Sequence, residues 1–158
     1  MAIEKGIRLG TMTMAGLRKS GGLEAALKGF RRFYIGPEFC ENLLGRSLCG
    51  EAAWLQEKGR KVCLLTPMIS EKGAGLLDSI FKDLLKLVKR GKLDPAGLEI
   101  TVNDFGAVEL AKRNRLPFKL NAGRLLRNIV FNDTEESLTV HNGLALDFFR
   151  GLGIKRYE

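Results

Sequence analysis

The sequence predicts an α/β fold of parallel (β/α) units. Three observations carry that prediction. Short apolar runs end in polar or proline turns. Helical patterns lie between those runs. The spacing from one run to the next has crossover length.

The grammar is clearest at residues 98–106. Leu98, Ile100 and Val102 alternate with Glu99 and Thr101, the period of a strand, and the run stops on Asn103-Asp104 before Gly106 opens a helical pattern. Taken in order, residues 1–20 show little periodicity, and Gly6, Gly10 and Gly16 disfavour a helix there. Ser20 can cap a short helix over residues 22–29. A first strand over 32–35 ends at Gly36-Pro37. Pro37 suits the first turn of a helix expected to run to residue 58, interrupted near Gly45 and Gly50.

A second strand over 61–68 contains the continuous run Val62-Cys63-Leu64-Leu65, which suits a strand buried on both faces. Leu77, Ile80, Phe81, Leu84, Leu85 and Val88 form one face of a helix over 74–90, and Gly91 stops it. A short helix over 107–115 ends at Leu116-Pro117, because the residue before proline leaves the helical region. A fourth strand over 118–122 leads to Gly123-Arg124. Residues 125–141 are irregular, a helix covers 143–152, and residues 153–158 read as the start of a fifth strand.

Two architectures satisfy this order: a small doubly wound open sheet, or part of a (β/α)8 barrel. Both place their chemistry at the carboxyl ends of strands. The chain is shorter than the roughly 250 residues of a complete barrel. The expected fold is therefore about half of a TIM-like barrel, truncated at its C-terminal side, with residues 1–20 a basic arm and 21–158 the incomplete barrel domain. Open sheet edges in such a piece predict self-association or a partner half.

The 158 residues are 45% hydrophobic, enough for one domain with a sizeable core. No apolar run approaches a membrane span, and no apolar block in residues 1–20 resembles a secretory signal. Cys40, Cys49 and Cys63 are an odd set, read as reduced thiols or ligands, so the expected compartment is the cytoplasm. Residues 1–32 hold seven basic side chains against two acidic, +5 of the net +8. Such an arm either solubilises the chain or touches phosphate, so RNA is one expected partner.

The candidate site residues sit at the strand ends. Glu38 can act as an acid or base, or complement a helix dipole. Thr66 closes the second strand. Asn103 and Asp104 can polarise a substrate or cap the following helix. Arg124 can grip a carboxylate or phosphate with two parallel hydrogen bonds. Cys63 reads as core and Cys49 has no evident role. His141 is the one histidine that a Ser-His-Asp mechanism could use, yet no Gly-x-Ser-x-Gly elbow and no His-Glu-x-x-His motif occurs. Gly73-Ala74-Gly75 reads as the start of a helix and not as a phosphate loop.

Four strand ends together carry a resemblance. Phe33-Tyr34-Ile35-Gly36-Pro37-Glu38-Phe39-Cys40, Leu64-Leu65-Thr66-Pro67, Val102-Asn103-Asp104-Phe105-Gly106 and Ala122-Gly123-Arg124-Leu125-Leu126 resemble, in order and spacing, the first four strand ends of the collagenase-like peptidase family. The resemblance covers roughly residues 22–158. It implies an incomplete or modified TIM-like barrel and a peptidase acting on a peptide or small-molecule substrate, bound by Glu38, Thr66, Asn103, Asp104 and Arg124.

Several members of that family hold an iron–sulfur cluster on four cysteines, and Cys40 matches the first of them. Some act in oxygen-independent hydroxylation during ubiquinone biosynthesis or on RNA bases. This sequence has no counterpart to the three later ligands, so no cofactor is expected in this chain alone. A cluster belongs only to a full-length form whose missing half supplies them. A non-catalytic, RNA-binding remnant is the remaining reading.

Overall fold

The computed structural model describes residues 4–9, 13–126 and 143–157, the side chains of Leu144 and Ala145 excepted. Six strands form one all-parallel sheet: β1 (Gly6–Arg8), β2 (Arg32–Ile35), β3 (Lys61–Leu65), β4 (Leu98–Val102), β5 (Lys119–Ala122) and β6 (Ile154–Tyr157). Their order across the sheet is their order in the chain. A doubly wound sheet reverses its strand order at a switch point, and this sheet has no reversal.

The helices are α1 (Met14–Lys19), α2 (Leu23–Gly29), α3 (Ser47–Glu57), α4 (Glu71–Lys89), α5 (Phe105–Arg113) and α6 (Gly143–Gly151). They form because apolar residues recur at helical spacing and because polar residues seal their starts. Ser70 accepts from the Gly73 N–H at 3.4 Å to cap α4. Asp104 accepts from the Ala107 N–H at 2.6 Å to cap α5. Gly59, Gly91 and Gly153 follow α3, α4 and α6 with positive φ, where a side chain would be strained.

Alternation splits each strand between two faces. Phe33, Ile35, Val62, Leu64, Leu98, Ile100 and Val102 point to one side and pack with Leu55 of α3, Phe81 of α4 and Val108 of α5 in one core. Each fully buried large side chain there contributes about 1.5–3 kcal/mol. Residues of the opposite parity, among them Arg32, Tyr34, Cys63, Glu99, Thr101, Asn121 and Arg156, line the other face.

That second face is concave. The Arg156 Nη2 of β6 donates to the Tyr34 hydroxyl of β2 at 2.6 Å. Those strands are four steps apart, and a flat sheet would separate them by about 19 Å. The sheet therefore curls toward the side away from the helices. Curling removes charged groups from water, so they pair. Glu99 accepts from Asn121 at 3.1 Å and from Arg156 at 2.7 Å, and pairs with Arg32 at 2.7 Å. Arg32 also donates to Glu4 at 3.0 Å. Burial pushes the Glu99 carboxyl up, but Asn121 and the two arginines outweigh it and hold it below the usual range.

The structure differs from the sequence expectation in three places. Residues 6–8 are a strand, paired in register with 32–34, and Met14–Lys19 is a helix. The expectation of little regular structure in 1–20 therefore fails for these segments. The helix expected from Pro37 begins only at Ser47, after a turn at Glu41–Leu43. Residues 37–46 are instead held by side-chain contacts described below. The sheet has six strands, where sequence reading gave four and the start of a fifth.

Candidate functional site

Parallel strands deliver all their carboxyl ends to one edge, and there the curled sheet opens as a mouth. Gly36 makes the turn out of β2. Its φ is +100°, and an added Cβ would lie 2.6 Å from the Leu65 carbonyl oxygen, so only glycine passes. The turn swings Glu38 inward, where its side chain is only 4% exposed.

Two guanidiniums from distant parts of the chain meet that carboxylate. Arg124, following β5, donates its Nε to Oε1 at 3.2 Å and its Nη2 to Oε2 at 3.0 Å. Arg8, at the end of β1, pairs with Oε2 from the other side. Burial pushes the Glu38 carboxyl up, yet its bonds to Arg124 and Arg8 hold it below the usual carboxylate range. It stays ionised at neutral pH, a weak base and not an acid. Its chemistry is to orient two arginines. Arg124 remains half exposed, with its guanidinium 5.3 Å from the centre of the Phe39 ring.

Asn103 and Thr66 have another role. Asn103 is fully buried and donates to the Thr66 carbonyl at 2.7 Å, while its Oδ1 accepts from the Leu125 N–H at 3.1 Å. It ties the end of β3 to the turn after β5. A Cβ on Gly123 would collide with its amide. The Thr66 hydroxyl donates to the Thr101 carbonyl at 3.3 Å and is buried. Asp104 caps α5 and also accepts from the Ile69 N–H at 2.6 Å. These three build the mouth's floor and wall. Arg124, with Arg8 behind Glu38, faces outward.

Sequence reading missed Arg8, because it assigned the first twenty residues to an arm. It also missed an apolar rim: Phe39 (63% exposed), Met68 (49%) and Phe105 (40%) follow β2, β3 and β4. A large apolar residue just past each of several strand ends was the available signal. Glu41 fixes the rim, accepting from the Ser70 N–H and hydroxyl, each at 2.7 Å.

Cys40 is exposed beside this mouth. Cys49 is buried on α3, its thiol pushed up to about 11 mainly by burial, and Cys63 is buried on the concave face. The whole sequence has three cysteines, so it does not supply the four thiolates of an iron–sulfur cluster. Among the described residues no three His, Cys, Asp or Glu side chains gather as a metal site. His141 lies outside the described residues. Among those described, no helix is long and apolar enough to cross a membrane.

No protein-family model, curated protein or solved structure matches the chain.

Proposed function

We propose that this chain is a substrate-binding (β/α) barrel segment of the collagenase-like peptidase kind. Its substrate would be a peptide or small molecule bearing a carboxylate, held at the mouth by Arg124 and Arg8. The observation that carries this reading is the buried Glu38 carboxylate between two arginines at the carboxyl edge of the sheet, with Arg124 half exposed.

The sequential strand order, the curl and the helices on the convex face support a TIM-like barrel. With six strands, the segment is larger than the half expected from sequence. Glu38 fixes the guanidinium plane of Arg124 before substrate arrives, which reduces the entropy lost on binding. The half-exposed guanidinium of Arg124 then meets a substrate carboxylate, and the apolar rim takes side chains. The Ser70 hydroxyl, which donates to the Glu41 carboxylate at 2.7 Å, is spent on fixing the rim and capping α4, so the peptidase label rests on the resemblance. Cytoplasmic residence is part of the same reading, in keeping with three cysteines that form no disulfide.

The test is calorimetric binding of gelatin-derived peptides ending in a free carboxylate, with mass-spectrometric detection of cleavage. Arg124→Gln and amidation of the peptide terminus should each weaken binding about tenfold, the value of one charge-assisted bidentate contact. Equal affinity for the amidated peptide, or no binding to the wild-type chain, would overturn the proposal.

A further inference from the structure

The structure assigns a second ligand site at the opposite edge of the sheet, one that takes a nucleoside polyphosphate. A cleft of about 620 Å³ lies at the amino ends of β5 and β6, beside the end of α5. Its volume suits a drug-sized or nucleotide-sized ligand. Leu116, Leu120 and Leu152 give it an apolar lining, and Lys112, Arg115, Lys119 and Lys155 stand around it. None of these four cations has an ion pair among the described residues. The one carboxylate in the cleft wall, Glu99, is already taken by Arg32 and Arg156.

Favourable placement near a helix C-terminus accounts for Lys112. It does not account for Lys119 and Lys155, which are strand residues. Arg115 gives a sharper sign. Positive-φ glycines follow α1, α3, α4 and α6: Gly21, Gly59, Gly91 and Gly153. Arginine occupies the equivalent position after α5, with φ +50, the only non-glycine residue of positive φ among those described. The turn is closed by Arg115 N–H to Lys112 O at 2.9 Å and Leu116 N–H to Ala111 O at 3.1 Å. Strain of this kind persists where a side chain is needed in one place.

Four cations without an ion pair among the described residues, set around an apolar cleft, call for several negative charges on one compact body. One carboxylate satisfies one cation, whereas a polyphosphate reaches several and a base or sugar fills the apolar part. The large exposed apolar side chains Phe39, Met68 and Phe105 lie at the other edge. A membrane surface therefore fits this edge poorly.

Binding of ATP to the whole chain at physiological salt tests the site. Lys119→Gln and Lys155→Gln should each weaken ATP about fivefold to tenfold, the loss expected for one charge-assisted contact. Arg115→Gly should weaken ATP similarly while raising the unfolding midpoint, because it removes the strain. Lys89→Gln, remote on α4, should leave the affinity unchanged. Absence of ATP binding, equal affinity in Arg115→Gly, or tighter binding of an eight-nucleotide RNA than of ATP would each overturn the assignment.

Discussion

The convex and concave faces of the sheet come from the same strands and the same period of two, yet they are held by opposite chemistry. On the convex side Phe33, Val62, Leu64, Leu98 and Ile100 meet apolar helix residues. That contact tolerates any side chain of suitable shape. On the concave side Arg32, Glu99, Asn121 and Arg156 are tied by hydrogen bonds of definite partner and direction. Removing water from charges is favourable only when each finds a partner. The apolar face thus supplies stability, and the polar face selects one curvature and with it the shape of the mouth.

Substitutions on the two faces separate these contributions. Phe81→Ala should have the largest effect, about 3–5 kcal/mol in denaturant unfolding, since it empties a fully buried position. Glu99→Ala should cost about 2–4 kcal/mol by taking from the buried Arg32 and from Arg156 the carboxylate they share. The double change Arg32→Met with Glu99→Leu should cost less than Glu99→Ala alone, because the more buried arginine goes with its carboxylate and the part-exposed Arg156 keeps its bond to Tyr34. If the double change is the worse of the two, the network is not the desolvated pair described here. Asp104→Ala should cost about 1–2 kcal/mol, the loss of a cap together with its bond to the Ile69 N–H.

The fourth prediction concerns acid. Glu38 and Glu99 ionise more readily folded than at their ordinary value near 4.5. A depressed folded value means the unfolded chain binds protons first as pH falls. Their contribution is therefore full above about pH 4.5 and is lost below it, as pH falls through the folded values. Unfolding midpoints between pH 7 and 3 should drop along that limb, and Glu99→Gln should make the drop shallower. A flat profile would contradict the pairing.

Much of this fold was legible in the sequence because its signals are local. The bounds of β2 match the alternation of residues 32–35, and Asp104 as a cap follows from its place before a helical pattern. Strand β1 was not legible, because Gly-Ile-Arg is three residues long and gains its identity only by pairing with β2. The concave network was not legible either. Arg32, Glu99 and Arg156 sit at alternate positions, the pattern of residues facing water, and only the curl of the sheet brings them together, burying Arg32 and leaving Arg156 part exposed.

The site divides in the same way. Glu38 and Arg124 each stood out at a strand end, but 86 residues separate them, and nothing local announces their contact. Asn103 and Thr66 stand at the strand ends, where they tie neighbouring strands together. Their roles follow from the distances between strands, which alternation does not encode.

The curl itself is the account's central claim, since the concave network and the mouth both depend on it. A double-mutant cycle in denaturant unfolding with Tyr34→Phe, Arg156→Gln and their combination tests it directly. Strands four steps apart that meet through this hydrogen bond should show a coupling energy above about 0.5 kcal/mol. Strict additivity would mean that β2 and β6 do not face one another, and the concave site would fall with it.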